Sequence, residues 1–379
     1  MRAFVIVAAA AAGLAGCGGC KGGGGGGDAG TDAGGGGGDA TPGTDAAATD
    51  AGGAGGSDAG LPAGWLYTEG NHVYTSDGLV FHGRGANIHD TRSCNACAYG
   101  PPSVAEVERR IDELVDVWGA NFMRLDLESY ATADSRVQWE SVLDDPAYLA
   151  DVIAIVDYIG TKPGVYVLVS LWVDPNHSPE GWPTAGTTSE WELLAATFAL
   201  DPHVLFGIIN EPQYNFDGMQ DATVWGLMND EVAAIRAVED AMGTPHHVVA
   251  VQGTGGWARR LDYYVTNPIA AGGGANVAYE IHVYDPTANF DAMLVAPAAT
   301  LPVIIGEYGP AAGYMTETDC SNLMDVAEAN EIPYIAWNFH MRCPPDLLVD
   351  NSAGGCGEGM ALEPTSWGQL LMDRLAVPW

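Results

Sequence analysis

The sequence predicts one α/β domain, a (β/α)8 TIM barrel over residues 61–379, preceded by a signal segment over 1–16 and a disordered Gly/Asp/Ala-rich linker over 17–60. Three observations carry this expectation. Eight apolar runs of strand length recur between Leu79 and Phe339, segments of helical period separate them, and their polar residues collect at the C-terminal ends. Eight is the strand number that closes a parallel sheet whose own side chains fill the interior.

The runs are LVFHGRGANIH (79–89), ANFMRLDLE (120–128), VYVLVSLWV (165–173), VLFGIINE (204–211), HVVAVQGT (247–254), VAYEIHVY (277–284), PVIIGEYG (302–309) and PYIAWNF (333–339). Near-continuous hydrophobicity suits strands buried on both faces. Between them, Ser103 with Glu106 three residues on reads as a capping box, opening a helix with Val107, Ile111, Leu114, Val115 and Trp118 on one face. Ser189 opens a second helix through Leu200, and a long one runs from about Asp221 to Met242. Thr316 or Thr318 caps the seventh, and Pro364-Thr365-Ser366 opens the eighth, ending near Leu375. Ahead of the first barrel strand, Asp77-Gly78 between strand-like flanks predicts a hairpin plugging the barrel floor. No internal repeat is evident.

Met1 to Gly16 carries one basic residue, Arg2, an apolar stretch from Ala3 to Ala15, and the ending Leu14-Ala15-Gly16-Cys17, which resembles a bacterial lipoprotein signal. The stretch is too short to span a membrane. Cys17 would be the lipidated first residue of the mature chain; in an ordinary cleaved signal it is incidental. The expected location is the bacterial cell envelope, lipid-anchored at the outer membrane or cell surface, or the medium. From Gly18 to Gly60 there is no aromatic or large aliphatic residue, so nothing offsets the entropy of ordering.

The 379 residues are 47% hydrophobic, ample for a core, and carry a formal net charge of -35. The tether's six aspartates, with Arg2 and Lys21, leave 43 acidic and 12 basic residues to the rest. Such a surface repels phosphate backbones and anionic lipid, which excludes nucleic acid as a partner and suits a neutral polymer. Of seven cysteines, Cys94, Cys97, Cys320, Cys343 and Cys356 fall in the domain. Cys94 and Cys97 suit a short loop bridge, two of the other three suit a pair near the last strand, and one thiol is left free. Neither a second CxxC nor a spaced histidine pair follows, and His246-His247 have no ligand-spaced partner, so no metal or cofactor is expected.

Barrel enzymes carry reactive groups at the C-terminal ends of the strands. Here these ends hold His89, Arg124, Trp172, Asn210, Glu211, His282, Tyr284, Glu307 and Trp337. Two carboxylates on one rim, Glu211 and Glu307, are the minimum equipment for hydrolysing a glycosidic bond. Bland readings exist for each: a strand-ending glutamate is often solvated, Arg124 can pair structurally with Asp126 or Glu128, and Trp337 can be core packing. His282 and Tyr284 share a face by alternation. Trp182, Trp191 and Trp257 either extend a cleft or pack helices.

The motifs Asn210-Glu211-Pro212, His282-Val283-Tyr284, Gly306-Glu307, the Arg124 strand and Trp337, in this order, resemble glycoside hydrolase family 5, the retaining family of cellulases, mannanases and related β-glycanases. The resemblance runs from about Asn71 and includes Gly85-Ala86-Asn87. It implies Glu211 as general acid/base, Glu307 as nucleophile, Asn210 as a partner of the sugar 2-hydroxyl, and His89, Arg124, Trp172, His282, Tyr284 and Trp337 as substrate-binding neighbours. On physical grounds Arg124 and the Tyr284 hydroxyl would hold Glu307 ionised, and that charge would keep a proton on Glu211. The chain departs from the family at the end of the third strand, where Trp172 stands at the usual histidine and His177 follows. The activity implied is an endo-β-1,4-glucanase working as a monomer on β-linked polysaccharide or oligosaccharide. A β-mannanase, an exo-acting β-glucosidase, or a non-catalytic glycan-binding lipoprotein are the alternatives.

Overall fold

Ten strands and the helices between them are laid out in the computed structural model, which describes residues 61–92, 103–128, 141–172, 181–212, 214–352 and 358–379. The signal segment, the linker, Cys17, Cys94, Cys97, Cys356 and His177 lie outside the described residues. The strands are β1 (Leu66–Glu69), β2 (His72–Thr75), β3 (Arg84–Ile88), β4 (Phe122–Glu128), β5 (Tyr166–Trp172), β6 (Val204–Gly207), β7 (Val249–Gln252), β8 (Val277–Val283), β9 (Val303–Tyr308) and β10 (Tyr334–Ala336). From β3 to β10 they form a closed parallel barrel, each strand beside its sequence neighbour and β10 completing the ring against β3.

Around it lie α1 (Val104–Asp112), α2 (Pro146–Gly160), α3 (Ala185–Thr197), α4 (Asp221–Met242), α5 (Asp262–Thr266), α6 (Glu317–Ala329) and α7 (Ser366–Leu375). Caps set their starts. Ser103 accepts from the Glu106 N–H, but the Glu106 carboxylate turns to Arg109 and Arg110 instead of closing the box. The helix expected to open at Ser189 begins earlier, because Thr184 and Thr187 form a reciprocal capping box and leave Ser189 inside it. Thr316 caps α6 with Asp319, and Thr365 caps α7. Helix α2 was not anticipated, although Asp145 caps it and Pro146 occupies its first turn, both ordinary start signals. Among the described residues no helix is long and apolar enough to cross a membrane.

The floor plug exists with a different turn. Strands β1 and β2 pair antiparallel through Gly70-Asn71, while Asp77-Gly78 makes a second reversal that brings Val80 back beside Tyr74. Leu66, Val73 and Phe81 from this segment pack on Phe122, Tyr166 and Leu168 inside the barrel. Strand alternation then separates the interior into two levels. Phe122, Tyr166, Val248, Ala278 and Ile304 make an apolar lower layer. Higher on the same face come Arg124 and Glu280, two residues on, and Asp126, Ser170, Gln252 and His282, four residues on, all buried. These buried polar residues thus stand on an apolar base, where charges interact more strongly than in water.

Cys343 is disulfide-bonded to a partner outside the described residues, and Cys320 is a buried free thiol. Between α3 and α4, Glu231 is 3% exposed; Thr188 donates to its Oε1 at 2.8 Å and no described group meets its Oε2. Burial, with Asp230 and Glu192 nearby, pushes this carboxyl up to about 7 against the pull of Thr188. A folded-state value above the ordinary 4.5 means that its contribution to stability is whole below pH 4.5 and is lost as pH rises through 7. Glu231→Gln is therefore expected to change little at pH 4.5 and to stabilise by about 2 kcal/mol at pH 8.5. Thermal melts of both proteins at the two pH values check this; equal differences would refute it.

Candidate active site

Arg124 of β4 organises the upper layer. Fully buried, it donates from Nη1 to Glu307 Oε1 and Asn87 Oδ1, both at 3.1 Å, and from Nη2 to Ser170 Oγ at 3.2 Å and Asn210 Oδ1 at 2.7 Å. Its Nε lies 3.0 Å from Glu280 Oε1, and Nη1 lies 3.5 Å from Asp126 Oδ2. Burial opposes its charge, but Asp126, Glu280 and Glu307 raise its pKa, so it stays cationic. Asn210, accepting through Oδ1, keeps its amide N–H groups for a ligand. Both bland and functional readings of Arg124 thus have substance: it pairs with Asp126 and also holds Glu307.

A register shift delivers Glu307. Glu280 pairs with Ile304 and Ile281 with Ile305, but His282 then faces Glu307, so Gly306 is the extra residue of a bulge. Without it, alternation would turn Glu307 away from the interior. Gly306 is required for a second reason: a Cβ there would stand 1.9 Å from Glu280 Oε1. Tyr284 donates its hydroxyl to Glu307 Oε2 at 3.0 Å, so both oxygens of Glu307 accept from a defined donor.

Glu211 arrives by a different device. Strand β6 ends at Gly207, short of the expected 211, although Ile208 still bonds to Ala250 and Asn210 to Leu171. Glu211 then adopts φ 47°, a left-handed conformation that costs a non-glycine residue about 1 kcal/mol and clusters at functional sites. Its N–H is held by Gln252 Oε1 at 3.0 Å. The turn aims its carboxylate at His282, whose Nδ1 lies 2.9 Å from Glu211 Oε1 and 3.6 Å from Glu307 Oε1. A carboxylate oxygen of each glutamate and a ring nitrogen of His282 all lie within 4.8 Å of one another.

The electrostatics depart from expectation at Glu307. Burial, reinforced by Glu211 and Asp126, pushes its carboxyl up to about 8 against His282 and Arg124. The donors read from sequence are there; depth inside the barrel, which sequence does not reveal, outweighs them. Burial likewise raises Asp126 to about 6, relieved only partly by Arg124. Burial opposes a charged His282, yet Glu307, Glu211 and Glu280 together raise it to about 10. The cluster therefore holds protons into the neutral range and shares them as a unit.

The remaining predicted residues spread around this pair. His89 ends β3's run on the rim, 7% exposed, its Nε2 3.2 Å from Asn338 Nδ2, and burial drives it down to about 3. Trp337 is 5% exposed and donates Nε1–H to Cys343 O at 3.1 Å, so its ring offers only a margin to solvent. Trp172, half-buried at the end of β5, shares the inward parity of Ser170. Trp191 is fully buried and bonds to Ile208 O, a packing residue of α3, whereas Trp257 joins Tyr214, Phe216, Arg259, Asp285 and Met293 around a cleft of about 720 Å³ beside the site. His246 and His247 bond to Asp240 and Glu239 and serve structure. Unforeseen members are Asn87, Asp126, Ser170, Gln252 and Glu280. Glu280 carried a readable signal, two residues before His282 on the same strand face.

The family profile described as cellulase (glycosyl hydrolase family 5) matches residues 81–342. Among solved structures the chain is similar to a cellulase, Cel5C_n, at 24% identity, covering 83% of this chain and 93% of that one with a TM-score of 0.65. It is similar to the catalytic domain of the Thermobifida fusca endoglucanase Cel5A (E5) in complex with cellotetraose, at 19% identity, 83% and 98% coverage and a TM-score of 0.63. A β-glucanase of Saccharophagus degradans in complex with cellotetraose follows at 18% identity, 82% and 93% coverage and a TM-score of 0.60. No curated protein matches the chain. With the profile spanning most of a closed (β/α)8 barrel, the chain belongs to glycosyl hydrolase family 5, the cellulase family.

Proposed function

We propose that the protein is a retaining endo-β-1,4-glucanase that cleaves β-linked glucan through a covalent glycosyl-enzyme. The observation that carries this reading is the approach of the two carboxylates, whose oxygens come within 4.8 Å. Retention requires carboxyl groups about 5–5.5 Å apart, whereas inversion needs room for a water and a separation of about 6.5–9.5 Å.

Roles follow from the donors. Glu307 receives Arg124 and Tyr284 on its two oxygens, a setting that suits an ionised nucleophile once the cluster's proton resides elsewhere. Glu211, on a turn at the rim with His282 as its neighbour, carries that proton and delivers it to the glycosidic oxygen. Glu307 attacks the anomeric carbon as the C–O bond breaks, and the leaving chain departs with the proton of Glu211. Water then enters, Glu211 takes its proton, and the hydroxide displaces Glu307 to give a sugar of unchanged anomeric configuration. Asn210 donates toward the 2-hydroxyl, a contact that strengthens in the transition state. The 720 Å³ cleft, lined in part by Tyr214 and Phe216 soon after Glu211, offers these rings and Trp257 as a surface for further sugar units. A lipid on Cys17 would keep this activity at the cell envelope.

The test is product analysis on carboxymethyl-cellulose, mannan, xylan and cello-oligosaccharides, with the first-formed anomer followed by NMR. Rapid appearance of the β-anomer from cellulosic substrates is expected. An initial α-anomer excludes retention, a preference for mannan or terminal cleavage moves the protein to the alternative substrates, and binding without turnover makes it a glycan-binding lipoprotein.

A further inference from the structure

Directly beneath the catalytic pair, Glu280 is fully buried on β8 and its Oε1 lies 3.2 Å from His282 Nε2, the ring nitrogen opposite the one that faces Glu211. The same oxygen is 3.0 Å from Arg124 Nε. Gly306 on β9 leaves room for it, since a Cβ there would stand 1.9 Å from Glu280 Oε1. A buried carboxylate two hydrogen-bond contacts from Glu211, with a notch in the neighbouring strand, calls for a role beyond packing.

We infer that Glu280 is a positioning residue for the proposed acid/base step: by accepting from His282 Nε2–H it fixes the imidazole so that one proton is held between His282 Nδ1 and Glu211 Oε1. The chemistry of the ring requires this. With Nε2 committed as a donor, a neutral His282 has a bare Nδ1, which at 2.9 Å must accept from a protonated Glu211. A charged His282 instead donates Nδ1–H to an ionised Glu211. Both states contain one proton on that line, and moving it from nitrogen to oxygen makes Glu211 the acid without drawing on solvent. The negative charge of Glu280 favours the protonated ring of His282 and so helps keep that proton in the cluster.

Every neighbouring element contributes to the balance. Arg124 and Asp126 face the cluster from β4, Glu211 from beyond β6, Gln252 from β7, Tyr284 from just past the end of β8 and Glu307 from β9. Gln252 holds the Glu211 N–H through Oε1, and its amide nitrogen lies 3.2 Å from His282 Nε2, so it meets Glu280 Oε1 at that ring nitrogen, where the carboxylate is the acceptor. Arg124 and His282 outweigh burial in keeping Glu280 ionised. The inference rests on Glu211 being the acid/base residue, and the experiment separates the two.

The first measurement needs no turnover. In the full chain labelled with ¹⁵N-histidine, the His282 ring, assigned by its loss in His282→Asn, is expected to show a proton on Nε2 throughout pH 5–9. A neutral Nδ1–H tautomer anywhere in that range overturns the inference. In Glu280→Gln, which keeps the volume, the alkaline limb of kcat/KM on cello-oligosaccharides is expected to fall by one pH unit or more, with the acid limb in place. With 2,4-dinitrophenyl cellobioside, whose leaving group needs no proton, kcat/KM should keep the same alkaline limb in both proteins. An unshifted limb on cello-oligosaccharides, or an equal loss at all pH values in a folded variant, overturns the role of Glu280. A wild-type enzyme without activity would defeat the glycanase reading and leave the ring measurement to decide the tautomer.

Discussion

Glu307→Gln is expected to lower kcat on β-glucan by about 10⁴-fold or more, with the barrel folded and cello-oligosaccharide still bound. The amide has the shape of the carboxyl it replaces. Its oxygen can still accept from Arg124 Nη1 or the Tyr284 hydroxyl, so the upper layer keeps its partners, but no lone pair of comparable basicity remains to form the ester with the anomeric carbon. Stability should suffer little and gain at high pH. The native carboxyl is held up to about 8, so the wild type loses stability as pH rises from 4.5 through 8, a loss the amide does not share. Steady-state rates with thermal melts at pH 6 and 9 test both halves. A variant retaining a tenth of wild-type kcat would show that Glu307 is not the nucleophile.

The barrel was legible because its strands are buried on both faces. That burial forces long apolar runs such as VYVLVSLWV, whose boundaries turn out within a residue or two of Tyr166–Trp172. Where a run ended early, the cause was functional geometry: VLFGIINE stops pairing as a strand at Gly207 because Glu211 must turn left-handed toward His282. Motif spacing located Arg124, Asn210, Glu211, His282, Tyr284 and Glu307, and the fold brings all six to one rim. Their protonation was not legible, since it depends on how much water reaches each group. The β8–β9 bulge was equally hidden, because register is a relation between strands and Gly306 looks in sequence like any small residue before a glutamate. Glu280 is the instructive omission. Alternation placed it beside His282, yet a charged residue inside an apolar run reads as an interruption until the guanidinium of Arg124 is seen at 3.0 Å.

Which glutamate plays which part is decided by Glu211→Ala. Glu307 is the group burial holds protonated, and a raised carboxyl pKa by itself would mark it as the acid; the convergence of Arg124 and Tyr284 on it is what supports the proposed role of nucleophile. The two assignments predict opposite behaviour. If Glu211 is the acid/base, Glu211→Ala loses about 10³-fold on cellulosic substrates, whose leaving hydroxyl needs a proton, but forms the glycosyl-enzyme from 2,4-dinitrophenyl cellobioside at close to the native rate. The intermediate then accumulates for want of a base, giving a burst of dinitrophenol. Azide, small enough for the space left by the side chain and needing no deprotonation, should restore turnover and yield the β-cellobiosyl azide. If Glu211 were the nucleophile, the activated substrate would fare no better than cellulose, no burst would appear, and azide would attack directly to give the α-azide. The configuration of one small product therefore fixes both roles, and with them the meaning of the proton that Glu280 and His282 keep beside Glu211.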